Sequence, residues 1–159
     1  MKNTGRLKVT TPTDREIVLT RVFDAPRSPV FDAFTKPELL KRWFGPRGWS
    51  LVVCEVELKV GGTFRFVLRG PDDGTDMGMR GVYREIVPPE RSVHAESFDG
   101  YPGESVVTAV LVERGGKTTL TATVLYPSQE VRDAVINSGM EQGAAESYDK
   151  LAALLALIA

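Results

Sequence analysis

Residues 138–159 read SGMEQGAAESYDKLAALLALIA, and the spacing of their apolar residues decides the fold. Met140, Gly143, Ala144, Ser147, Leu151, Leu154, Leu155 and Ile158 recur at i, i+3, i+4 and i+7, one stripe of a long amphipathic helix. The stripe changes character halfway along. Its second half is bulky (Leu151, Leu154, Leu155, Ile158); its first half is small (Gly143, Ala144, Ser147), with Met140 and Tyr148 at its borders. Burying the large side chains, Met140 included, supplies on the order of 10 kcal/mol of gross hydrophobic free energy. The small half supplies little, and a glycine inside a helix costs roughly 1 kcal/mol relative to alanine. The expected helix is anchored at its C-terminal end and leaves room at its N-terminal end.

Upstream, the chain reads as strands interrupted once by helices. Asp14 to Phe23 is rich in β-branched residues and forms a first strand, stopped by Pro26. Residues 1–13 are polar, a loose leader or a short extra edge strand. Ser28 is placed as an N-cap with Pro29 at the first helical position, opening a helix through Thr35. Pro37 opens a second short helix ending at Trp43, and Gly45-Pro46-Arg47-Gly48 forms a loop flanked by Trp43, Phe44 and Trp49. Strands then follow at 49–58, 63–69, 77–87, 92–98, 104–113 and 117–126. Their turns carry Gly61-Gly62, 71–74, Pro88-Pro89, 99–103 and 114–116. Phe64, Phe66 and Leu68 alternate with Arg65, Val67 and Arg69, so one face is apolar. Ser128 caps a short helical piece through Asn137.

Turns this short join antiparallel strands, because a parallel crossover needs a dozen or more residues. A sheet with one apolar face must be covered, and only the last helix is long enough. About 19 helical residues span roughly 28 Å, against about 26 Å for an eight-residue strand. One helix can therefore lie across the whole sheet. The class is α+β, over one domain spanning 1–159.

The chain has 159 residues with 20 basic and 21 acidic, a formal net charge of −1. No basic block signals a nucleic-acid or anionic-membrane partner. The single cysteine, Cys54, excludes an intramolecular disulfide and fits a reducing compartment. The N-terminus has no apolar core of a signal peptide, and no apolar run approaches a membrane span. A cytoplasmic location is expected.

Five segments, RVFDAPRSPVFDAFTKPELLKRWFGPRGW (21–49), GGTFRF (61–66), GVYREIVPPERSV (81–93), GGKTTLTATV (115–124) and SGMEQGAAESYDKL (138–151), occur together in this order. In order and spacing they resemble the SRPBCC superfamily, in the branch named after the activator of Hsp90 ATPase. The resemblance covers about residues 14–157. It implies a helix-grip (START-like) fold: a curved antiparallel β-sheet of about seven strands wrapped around a long C-terminal helix, with two short helices after the first strand. It also implies an apolar cavity between helix and sheet. Members bind lipids, polyketides or hormones, a few catalyse cyclisations, and one eukaryotic group stimulates the Hsp90 ATPase. The family has no universal catalytic residues, so none is carried over.

The small half of the last helix has two readings. Either the sheet's own aromatics, Phe64, Phe66, Tyr83 and Phe98, fill the space, or they wall a ligand cavity with Trp43, Trp49, Met79, Met140 and Tyr148 at its mouth. Periodicity alone leaves this open; the resemblance favours the cavity, roofed by Met140, Ala144, Ser147 and Tyr148. His94, the only histidine, shares strand parity with Glu96 and Phe98. An inward pair could anchor a ligand or act as a general base, whereas a lone strand histidine is more often a surface or satisfied residue, and a bulge that shifts parity would turn the pair to solvent. One histidine and one cysteine do not build a zinc site, and no nucleophile elbow is present. No metal, cofactor or catalytic residue is assigned. Arg65, Arg69, Arg80 and Arg84, with Glu55, Glu57 and Glu85 nearby, read as a solvated, salt-bridged face. The expected function is binding of a small hydrophobic or aromatic molecule in the cavity. The alternatives are a cyclase or dehydratase acting there, or a co-chaperone of an Hsp90-type ATPase. A homodimer is compatible with the strand edges.

Overall fold

The computed structural model describes residues 6–71, 74–101 and 103–159. Parts of the expected leader (1–5) and of two turns (Asp72-Asp73 and Pro102) lie outside the described residues. The elements in order are β1 (Lys8–Thr10), β2 (Glu16–Phe23), α1 (Arg27–Thr35), α2 (Pro37–Trp43), β3 (Ser50–Val56) and β4 (Thr63–Arg69). They continue with β5 (Asp76–Val87), β6 (Arg91–Phe98), β7 (Ser105–Arg114), β8 (Lys117–Leu125), α3 (Gln129–Asn137) and α4 (Met140–Ile158). The strands form one open sheet in the order β1-β2-β8-β7-β6-β5-β4-β3, with every neighbouring pair antiparallel.

Among the described residues eight strands are present where about seven are expected, because Lys8–Thr10 pairs with Val18–Thr20 and adds an edge. From β3 to β8 the chain is a meander of hairpins, and β8 returns to lie beside β2. Register shifts between Leu51 and Val53 and between Tyr83 and Glu85 mark bulges, which bend a strand and increase its twist. A Cβ on Gly81 would collide with the Phe64 ring and the Ala95 carbonyl, so glycine here seats that ring on the inner face.

The C-terminal half of α4 closes the core. Leu151, Leu154 and Leu155 are 0%, 4% and 2% exposed. Ile158, expected to join them, is 39% exposed and stands at the helix end. Beside them Arg21 of β2 is 1% exposed; its guanidinium donates to Asp149 of α4 at 3.0 Å and lies 5.3 Å over the Phe23 ring. A buried charge is tolerated only when paired, so this ion pair fixes α4 against β2.

Two helix starts contrast. Ser128 caps α3 as expected, its hydroxyl oxygen accepting from the Val131 N–H at 3.1 Å. α1 instead begins at Arg27, with Pro26 at the N-cap and Ser28 inside the first turn. The Arg27 N–H donates to the Glu113 carboxylate at 2.9 Å. A side chain from β7 thus does the work expected of Ser28.

Candidate functional site

The inner face of the sheet is set by register. Ser92 pairs with Ala109, Ala109 with Ala122, and Ala122 with Leu19, so one row crosses β6, β7, β8 and β2. Three of its four side chains are small. Flanking rows are larger: Leu111 faces Leu120, and Val107 faces Val124. Above this dip lie Phe31, Phe34 and Thr35 of α1, Leu40 of α2, Phe44, and Tyr148 of α4. The space between is a partly open pocket of about 220 Å³, lined mainly by apolar side chains.

The β4–β6 side of the pocket is the aromatic and polar one. Phe64, Phe66, Met79 and Tyr83 line it, and all are buried. The Phe64 and Phe66 rings lie tilted against each other at 5.1 Å between centroids, and Phe64 sits 5.4 Å from Tyr83. His94 and Glu96 project into the same space, with His94 Nε2 2.8 Å from Glu96 Oε1. Their side chains are 21% and 15% exposed. The bulge beside them falls in β5 and leaves β6 regular, so the i, i+2 parity of His94 and Glu96 holds. Burial pushes the Tyr83 hydroxyl up to about 12. Burial, and then the nearby Glu96 charge, does the same to Tyr148. Both phenols therefore stay protonated near neutrality and can donate a hydrogen bond.

Several residues named from the sequence stand elsewhere. Trp43 is buried behind the pocket; its indole N–H donates to the Ala33 carbonyl at 2.9 Å, and its ring packs edge-on against Phe34 at 4.9 Å. Trp49 packs beside Gly70 and Gly45 at the loop. Phe98 pairs with Met79 on the inner face but lies half-exposed toward the sheet end. Met140, Ala144 and Ser147 are not in the lining, so the expected roof from the small half of α4 is corrected to Tyr148 with α1 and α2.

The reason is the loop after α2. The Gly45 N–H donates to Ser147 Oγ at 3.0 Å, and the Arg47 N–H donates to Glu146 at 3.1 Å. A Cβ on Gly143 would meet Pro46 Cγ at 3.3 Å. Gly143 and Ser147 thus admit the close approach of this loop. The small side chains that make the pocket are Ala109 and Ala122. They resemble any strand alanine in the sequence, and only the pairing of β7 with β8 puts them together.

On the opposite face of the sheet the arginines are engaged; Glu55 stands opposite Arg65 in register, as expected, while the shortest ion pairs are made with other carboxylates. Asp99 accepts from Arg65 at 2.9 and 2.6 Å and from Arg80 at 2.7 Å. These bonds, Arg65 first, hold its carboxyl below the usual value. Arg69 pairs with Asp76, and Arg84 with Glu104. Cys54 is half-buried on β3, and burial pushes its thiol up to about 11, away from the reactive range. Among the described residues no three His, Cys, Asp or Glu side chains gather as a metal site requires, and no helix is long and apolar enough to cross a membrane.

Residues 24–156 match the family described as activator of Hsp90 ATPase homolog 1-like protein. No curated protein matches the chain. Among solved structures, a crystal structure of a Rhodobacter sphaeroides protein is similar at 33% identity and a TM-score of 0.91, covering 96% of this chain and 99% of that one. A Chromobacterium violaceum protein follows at 29% and 0.78, covering 87% and 96%. An Arthrobacter aurescens protein solved by NMR stands at 26% and 0.85, covering 96% and 92%.

Proposed function

The chain belongs to the family of activator of Hsp90 ATPase homolog 1-like proteins, and from that premise we propose that it binds a small hydrophobic or aromatic molecule between the sheet and α1, α2 and Tyr148. The observation that carries the reading is the pocket over the Ser92–Ala109–Ala122 row, apolar with a few convergent polar groups. That is the usual composition of a small-molecule site. Its volume of about 220 Å³ sets the size of the occupant. An engineered apolar cavity of about 150 Å³ takes benzene, so a two-ring aromatic is the scale that fits here. Thermal shift and native mass spectrometry against a panel of one- and two-ring arenes and short-chain lipids test this. A one-to-one complex with a two-ring compound is expected. Absence of any complex, with side chains filling the space in a crystal structure, would overturn the reading.

One observation favours a second reading, an enzyme of cyclase or dehydratase type. His94 and Glu96 line the pocket as a hydrogen-bonded pair near two protonated phenols, an arrangement suited to proton transfer. Turnover of a β-hydroxy aromatic ketone that is lost in His94→Gln would support it. Binding of the same compound without turnover would leave the protein a carrier.

A further inference from the structure

We propose that the His94–Glu96 pair is the polar anchor that selects the ligand, and that the ligand is a small aromatic molecule bearing a neutral hydroxyl rather than a carboxylate. This rests on the pocket being the ligand site. Toward a carboxylate, which only accepts hydrogen bonds, the 2.8 Å contact with Glu96 calls for the His94 tautomer that carries its proton on Nε2. In the neutral imidazole that leaves Nδ1 as an acceptor. Among the described residues no protein group hydrogen-bonds Nδ1. The other contacts of the ring are aromatic, with Phe64 at 5.0 Å and Tyr83 at 6.2 Å.

Tyr83 and Tyr148 line the same pocket, and their hydroxyls likewise make no protein hydrogen bond among the described residues. The pocket therefore sets the Nδ1 acceptor beside the two phenols, whose hydroxyls can donate, with the Ser92 hydroxyl as a further polar group in the lining. An aromatic hydroxyl satisfies both kinds at once, donating to Nδ1 and accepting from a phenol. A ligand carboxylate would be brought against Glu96, and like charges in a desolvated site repel strongly. Arg91, the one cation in the lining, donates its Nε–H to Glu85 at 2.8 Å, which offsets its charge. His94 is the contact residue in this assignment. Glu96 is a positioning residue that fixes the tautomer and excludes anions.

Three probes of similar shape test it by isothermal titration calorimetry near neutral pH: 2-naphthol, 2-methoxynaphthalene and 2-naphthoate. Wild type is expected to bind 2-naphthol about tenfold tighter than the methyl ether, the scale of one good hydrogen bond, and 2-naphthoate weakest. His94→Leu should bring 2-naphthol down to the ether while ether binding persists. Glu96→Gln should raise 2-naphthoate affinity several-fold, a change that a merely structural role would not produce. Should His94→Leu fail to fold, the ring ¹⁵N resonances of wild type serve: Nδ1 is expected to shift with 2-naphthol and stay with the ether. Equal binding of all three probes leaves the pocket reading intact and overturns the anchor, as does tightest binding of 2-naphthoate. Failure of all three to bind removes both.

Discussion

The C-terminal half of α4 presents Leu151, Leu154 and Leu155 to the core, nearly fully buried. Its N-terminal half presents Gly143 and Ser147 to the Gly45–Arg47 loop, with Pro46 close to Gly143 and the Gly45 N–H on Ser147 Oγ. One stripe thus carries two kinds of packing. Large side chains fill space at a distance from the helix axis, and small ones let another backbone approach it. Small residues on a helix therefore indicate proximity as readily as emptiness. The space in this fold opens instead over Ala109 and Ala122, where two small side chains lie opposite each other on adjacent strands.

The largest effect that can test this contrast is in the bulky half. Leu151→Ala removes a fully buried side chain and is expected to cost about 2–5 kcal/mol, read as a lower denaturation midpoint. A cost well under that range would mean the C-terminal half does not hold the helix. In the small half, Ser147→Ala leaves a buried Gly45 N–H without its acceptor. It should cost about 1–3 kcal/mol and leave arene binding intact. A neutral Ser147→Ala would remove the loop from the account.

Tyr148 sits between the two halves, and its effect follows from ionisation. Its hydroxyl is pushed up to about 12, as is that of Tyr83, above the ordinary value near 10. Between those limits the unfolded chain has lost protons that the folded chain retains. Stability is therefore complete below about pH 10 and falls as pH rises toward 12. Tyr148→Phe should shallow that decline in pH-dependent melts; an unchanged slope would place Tyr148 in water. The smallest effect belongs to Gly143→Ala. The gain of roughly 1 kcal/mol in helix propensity is set against the Pro46 contact at 3.3 Å. A net change within about 0.5 kcal/mol is expected in urea titrations, and a larger loss would mean that the loop is packed too tightly to give way.

Whatever depends on short-range periodicity was legible in the sequence. The alternation of Phe64, Phe66 and Leu68 gave β4 its residue bounds. The i, i+2 spacing of His94 and Glu96 placed both side chains on one face. The length match between α4 and the strands led to the layering. What depends on partners distant in the chain was not legible. Glu113 caps α1 from 86 residues away, so Ser28 looked like the cap. Ser147 meets Gly45 across 102 residues, so its smallness looked like room. The Ala109–Ala122 pair exists only once β7 and β8 are in register, and neither alanine carries a local signal.

The central claim is that the binding site lies over that alanine pair and not under the small half of α4. Titration of 2-methoxynaphthalene into wild type, Ala122→Leu and Ala144→Leu, followed by calorimetry, tests it most directly. Ala122→Leu fills the pocket with an apolar side chain and is expected to abolish binding while the fold persists. Ala144→Leu is expected to bind as wild type does. Retained binding in Ala122→Leu together with loss in Ala144→Leu would contradict the account and return the site to the helix.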